Sequence, residues 1–147
     1  MKVVCDTGPL VATADRRDPA HRLARGLVTG LGRDLLVPDP VVVETDEFLR
    51  RRAAGPAARR FLSAISAGEH ALLFLTPGLL RRAVEIDARY QDLDLGLTDA
   101  AVMAFAERHD LPILTFDFRD FRATAPERGS WRLVIDEARY SDAVGGS

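Results

Sequence analysis

Short apolar runs alternate with longer segments in which apolar residues recur every three or four positions, the two periods that mark buried strands and amphipathic helices. Strands are predicted at residues 2–5, 35–37, 71–75, 113–116 and 132–135. Asp6 and Thr7 form an N-cap signal leading into Pro9-Leu10-Val11-Ala12, so a helix follows the first strand directly. Asp18-Pro19 is the start signal of a second helix carrying Leu23 and Leu27, which Gly30 and Gly32 end. Residues 41–54 have helical spacing that puts Val41, Glu44 and Phe48 on one face. Gly55-Pro56 breaks the chain before helices at 57–67 and 79–90. A polar, Asp-rich loop at 91–97 precedes a helix capped by Thr98, with Asp99 in its first turn and Ala101, Val102, Phe105 and Ala106 as its apolar stripe. His109-Asp110-Leu111-Pro112 stops that helix, and Asp117 opens the turn Asp117-Phe118-Arg119-Asp120-Phe121 after the fourth strand. This alternation predicts an α/β fold, a three-layer sandwich with a mostly parallel central sheet flanked by helices.

At 147 residues the chain fits one domain, expected over 1–137, with residues 138–147 as a flexible C-terminal tail. Hydrophobic residues make up 47% and charged residues 29%, a balance that supports a packed core and excludes wholesale disorder. No run approaches the roughly 20 apolar residues that span a bilayer. The N-terminal MKVVCDTGPL also lacks the long apolar stretch of a signal peptide, so a cytoplasmic protein with no membrane association is expected. Cys5 is the single cysteine; it lies in an apolar run and reads as a buried structural thiol. A formal net charge of -2 argues against coating nucleic acid by bulk electrostatics. Lys2 is the only lysine, so nearly all positive charge is arginine, whose planar fork suits phosphate. The second helix, the stretch from Arg50 to Arg60 and the pair Arg81-Arg82 are the candidate contact surfaces.

Candidate chemistry lies in the acids Asp6, Glu44, Asp99 and Asp117. Three of them stand where an apolar run gives way to a turn or helix, and in an open parallel sheet ligands bind beyond the carboxyl ends of the strands. Each Asp alone is explained equally well by capping of backbone amides. Glu44 is harder to explain so, because a carboxylate on an apolar helix face is costly to bury without a partner. Carboxylates crowded into one pocket repel and raise one another's pKa unless a cation offsets them. With no cysteine or histidine cluster available, oxygen ligands select a hard ion, Mg²⁺ or Mn²⁺, over Zn²⁺. His21, His70 and His109 are scattered and read as surface or helix-end residues.

Taken together, four segments resemble the PIN-domain ribonucleases, and specifically the VapC-type toxins of bacterial type II toxin–antitoxin pairs. They are Val3-Val4-Cys5-Asp6-Thr7-Gly8-Pro9-Leu10, Val41-Val42-Val43-Glu44-Thr45, Gly96-Leu97-Thr98-Asp99-Ala100-Ala101 and Leu114-Thr115-Phe116-Asp117 before Phe121. Their order and placement carry the resemblance; no single one is decisive. It implies that Asp6, Glu44, Asp99 and Asp117 are the metal-binding and catalytic quartet, with Thr7, Thr115 and Asp120 as auxiliaries. Thr7 is expected to bond Asp6 or cap the first helix, and Thr115 to orient Asp117. The implied activity is Mg²⁺- or Mn²⁺-dependent endoribonuclease cleavage of RNA phosphodiesters by activated water, leaving a 5'-phosphate and a 3'-hydroxyl. The implied partners are the RNA substrate, a small cognate antitoxin and a second copy of the chain in a homodimer. Alternative readings are an RNA-processing PIN nuclease that is not a toxin and a catalytically silent PIN module that binds RNA or protein. A phosphate-accepting receiver domain also gathers acids at strand ends, but it needs a late lysine that this chain lacks.

Overall fold

The computed structural model describes residues 1–145. Four parallel strands, β1 (Val3–Cys5), β2 (Leu35–Pro38), β3 (Ala71–Leu73) and β4 (Ile113–Leu114), form one sheet in the order β3-β2-β1-β4. Eight helices connect and cover it: α1 (Thr7–Ala14), α2 (His21–Leu31), α3 (Asp39–Arg51), α4 (Gly55–Ser66), α5 (Pro77–Arg89), α6 (Gly96–His109), α7 (Phe118–Ala123) and α8 (Glu137–Gly145). The predicted α/β sandwich is therefore observed. Val3, Val4, Cys5, Leu35, Val37, Ile113 and Leu114 are wholly buried, as expected of parallel strands covered on both faces. Every residue of α6 from Ala100 to Ala106 is buried, so this central stretch of the helix is apolar all round and packs in the core against α5, α3 and β1. No helix among the described residues is long and apolar enough to cross a membrane.

Boundaries differ from the sequence reading for identifiable reasons. Pro40, Pro56 and Pro77 lie inside the first turns of α3, α4 and α5, where a missing N–H costs nothing, so these helices start earlier than predicted. Asp18 caps a turn instead of α2: its Oδ1 accepts from the Ala20 N–H at 2.8 Å, and the helix begins at His21. Thr98 is not a cap, since Leu95 holds that position and Thr98 falls within the first turn of α6. The strand predicted at 132–135 reduces to one parallel bridge between Leu133 and Ile113, because β4 itself is only two residues long.

Residues 138–145, expected to be part of a flexible tail, instead form most of α8. Tyr140 and Val144, one turn apart, pack with Phe116 over the buried Ala12, Ala20 and Ala24, which gives the helix a reason to form despite its polar sequence. Residues 146–147 lie outside the described residues.

At the far end of α1, Arg52 Nη1 donates to Asp15 Oδ2 at 3.3 Å and to Asp18 Oδ2 at 2.9 Å, while Arg17 Nη2 donates to the Arg52 carbonyl at 2.8 Å. This knot ties the end of α3, the helix that bears Glu44, to the connection between α1 and α2.

Candidate metal and catalytic site

β1 and β4 lie side by side with Cys5 in register with Leu114, so the residues that follow them emerge together at the carboxyl edge of the sheet. Asp6 follows β1 and caps α1, its Oδ1 accepting from the Thr7 N–H at 2.8 Å. Thr115 follows β4, and its hydroxyl donates to Asp6 Oδ2 at 2.7 Å while accepting from the Asp117 N–H at 2.9 Å. One buried hydroxyl thus fixes a carboxylate on one strand end and the backbone of an acid on the next. Asp117 in turn caps α7, its Oδ1 accepting from the Asp120 N–H at 3.2 Å. Asp99 enters from the first turn of α6, behind Gly96, whose φ of +81° turns the chain into the helix.

These elements bring one carboxylate oxygen each from Asp99, Asp117 and Asp120 within 4.8 Å of one another. Asp6, buried to 6% exposure, joins them through Thr115. Glu44 is half-buried on α3 and close enough for its charge to act on both Asp6 and Asp99. The buried face of α3 is Val41, Thr45 and Leu49, so Glu44 and Phe48 lie at its edge and not among core apolar groups as expected.

Electrostatics record the crowding. Burial, followed by the charges of Asp6, Glu44, Asp117 and Asp120, pushes the Asp99 carboxyl up to about 8. Burial also raises Asp6, to about 6; hydrogen bonds from Thr115 and Thr7 oppose the rise, and Asp117 and Glu44 add to it. Asp120 is raised by burial and by Asp117, against the nearby Arg119 guanidinium, which lowers it. None of the ion pairs among the described residues engages Asp6, Glu44, Asp99, Asp117 or Asp120. Five acids without a salt-bridge partner, all offering oxygen, fit a hard divalent cation. The hydroxyls of Thr7, beside Asp6, and Thr45, beside Glu44, are buried without a hydrogen-bond partner, an arrangement folded proteins otherwise avoid. Cys5 does not compete as a ligand: burial, then the Asp6 charge, raises its thiol well above the ordinary value, and its Sγ donates to the Asp6 carbonyl.

Asp99 and Asp117 are therefore brought together as the sequence reading expected, with Asp120 alongside as a full member of the cluster. Thr115 does more than expected, holding the Asp6 carboxylate as well as the Asp117 backbone. Thr7 acts on Asp6 through its backbone N–H. Arg119 was missed as a neighbour of the site; its place between Asp117 and Asp120 on the predicted turn was the available signal.

A sequence profile of the PIN domain matches residues 3–126. Ribonuclease VapC26 of Mycobacterium tuberculosis is 30% identical over 134 residues, spanning 90% of this chain and 99% of that protein. Among solved structures, M. tuberculosis VapC20, a toxin that cleaves the sarcin–ricin loop, superposes with a TM-score of 0.71 at 21% identity, covering 81% of this chain and 94% of that one. A toxin–antitoxin complex from Klebsiella pneumoniae gives a TM-score of 0.61 at 20% identity, with 82% and 90% covered. VapBC2 of Rickettsia felis, bound to a promoter DNA fragment, gives 0.60 at 12% identity, with 83% and 92% covered. At those identities the structures attest the fold, and the profile and the VapC26 match carry the kinship. The acids at the carboxyl ends of β1 and β4, on the sheet order described above, are thus set in a chain that belongs to the PIN-domain family, among its VapC-type ribonucleases.

Proposed function

We propose that this VapC-type endoribonuclease, the toxin of a toxin–antitoxin pair, cuts RNA at the cluster formed by Asp6, Glu44, Asp99 and Asp117 with Asp120, holding Mg²⁺ or Mn²⁺. The observation that carries the reading is the convergence of Asp99, Asp117 and Asp120 within 4.8 Å with no cationic side chain among the described residues paired to them. A hard divalent ion held there would offset the charge of the scissile phosphate and lower the pKa of the attacking water. The chain's own residues do the positioning. Thr115 and the Thr7 N–H hold both oxygens of Asp6, Asp117 is fixed by its cap on α7, and Glu44 approaches from α3 with no partner of its own among the described residues. Arg119, exposed beside the cluster, offers a guanidinium to a flanking phosphate. The products are a 5'-phosphate and a 3'-hydroxyl.

The experiment is cleavage of total RNA by the purified chain and by Asp99→Asn, each with Mg²⁺, Mn²⁺ or EDTA. Cutting that needs the ion and falls by at least about a hundredfold in the variant supports the reading. Equal cutting by the variant, or cutting in EDTA, overturns it.

A small cognate antitoxin is the protein partner, and a second copy of the chain is the other. The homodimer is supported by exposed apolar side chains on α3, β3 and its exit, and α5: Val43, Phe48, Leu72, Phe74, Leu80 and Val84. Light scattering should give the mass of a dimer, and Val84→Glu should halve it; a monomeric wild-type chain would rule the homodimer out.

A further inference from the structure

α8 lies beyond the stretch that the PIN profile matches, residues 3–126, yet its Tyr140 ring packs against the two phenylalanines on either side of Asp117. The Tyr140 ring sits 4.8 Å from the Phe116 ring and 5.6 Å from the Phe118 ring, centre to centre. Those two phenylalanines bracket Asp117. Asp117 itself belongs to no strand, and its φ of -94° and ψ of 73° are not helical, so beyond the Thr115 bond to its N–H and its own cap on α7 its carboxylate is directed by what holds its neighbours. Phe118 is buried, and Phe116 rests against the first turn of α1: its Cβ lies 3.7 Å from the point where a side chain on Gly8 would begin. The aromatic cluster therefore runs from the turn just past Asp6, across Asp117, to α8. An exposed ion pair between Arg122 on α7 and Glu137 on α8 also links the two helices.

We propose that Tyr140 is a positioning residue for the nuclease site: its ring clamps Phe116 and Phe118 and so holds the turn from Asp117 to Asp120 against α1. The inference rests on the reading of the acidic cluster as the cation site. It assigns α8 a task in the reaction, although the helix contributes no group that touches substrate or ion.

The test compares wild type, Tyr140→Ala, Tyr140→Leu, Tyr140→Phe and Asp117→Asn for Mn²⁺ binding by electron paramagnetic resonance and for RNA cleavage, well below each melting temperature. Loss of the ring in the Ala and Leu variants should weaken Mn²⁺ binding about tenfold and lower kcat by about tenfold or more, the range seen when groups that orient metal ligands are removed. KM for RNA should stay within about twofold, and Tyr140→Phe should match wild type, since the ring and not the hydroxyl makes the contacts. Ala and Leu variants that keep wild-type Mn²⁺ affinity and kcat overturn the proposal. Asp117→Asn separates the two readings: if it binds Mn²⁺ like wild type, the cation site is misassigned whatever Tyr140 does.

Linkage supplies a second measurement on the unaltered chain, independent of how the variants fold. If docking of α8 favours ion binding, ion binding must favour docking of α8 by the same factor. Amide hydrogen exchange across residues 138–145 should therefore slow when Mn²⁺ is added. Unchanged exchange there, with slowed exchange around Asp117, would refute the coupling.

Discussion

Asp99→Asn should make the metal-free protein more stable while abolishing its proposed function. In the folded chain the Asp99 carboxyl is pushed from 3.8 to about 8, so at pH 7 it holds a proton that the unfolded chain releases. At about 1.36 kcal/mol per pH unit, holding that proton costs at most about 4 kcal/mol. Asp99 is only half-buried, and solvent screening brings the expected gain for a neutral asparagine down to about 2 kcal/mol. In a domain of this size that is a rise in melting temperature of roughly 6 °C. The sign also fixes a pH profile. A folded pKa above the unfolded one means that stability is fully present below about 4 and is lost as pH climbs to about 8, so the gap between the two proteins should open across that window and close below it. Thermal melts in EDTA from pH 4 to pH 8 give the answer. A variant no more stable than wild type at pH 7.5, or a gap that does not narrow toward pH 4, would refute the argument that burial, together with the neighbouring charges, strains this site. Added Mg²⁺ should then raise the melting temperature of wild type and leave the variant where it was.

Thr115→Val removes the hydroxyl shared by Asp6 and Asp117 and should cost about 1–3 kcal/mol in urea melts, with cleavage lowered about tenfold or more; Thr115→Ser should recover both. Mn²⁺ must displace the Asp99 proton below about 8 and the Asp6 proton as well below about 6, so affinity measured by titration calorimetry should rise about tenfold per pH unit between those values and more steeply beneath them. A flat profile would show that neither carboxyl meets the ion. Arg52→Ala releases Asp15 and Asp18 and should lower stability at pH 7 by about 1 kcal/mol after allowance for the exposure of the arginine. Burial alone would raise Asp15, but its bonds to Arg17 and Arg52 outweigh this and lower it. The Arg52→Ala deficit should therefore shrink as pH falls through the range where Asp15 takes up its proton.

The parallel sheet and three of its acids were legible because the signals are local: an apolar run, then an acid with a capping position behind it. Asp6 and Asp117 sit where that pattern put them. The standing of Asp120 was less visible, since only the first turn of α7 decides that it shares the space of Asp117. Glu44 was placed on the right helix and the wrong face, because Val41 and Phe48 mark an apolar stripe equally well with or without Thr45 and Leu49. The pairing of Thr115 with Asp6 spans 109 residues and has no local signature. α8 was missed for the same reason. Its own sequence offers little beyond Tyr140 and Val144, and the surface that orders it is built from Ala12, Ala20, Ala24 and Phe116.

The order β3-β2-β1-β4 sets a clock on this chain. Of the four strands β1 is made first and β4 last, yet Asp6 acquires its hydroxyl partner only when β4 pairs with β1. Loop closure over that separation cannot precede synthesis of Thr115. A nascent chain that has already formed β1, β2 and β3 therefore carries Asp6 and Glu44 without Asp117 or Asp120. The carboxylate cluster proposed as the cation site therefore cannot assemble on a chain still short of β4, however well its first three strands have folded.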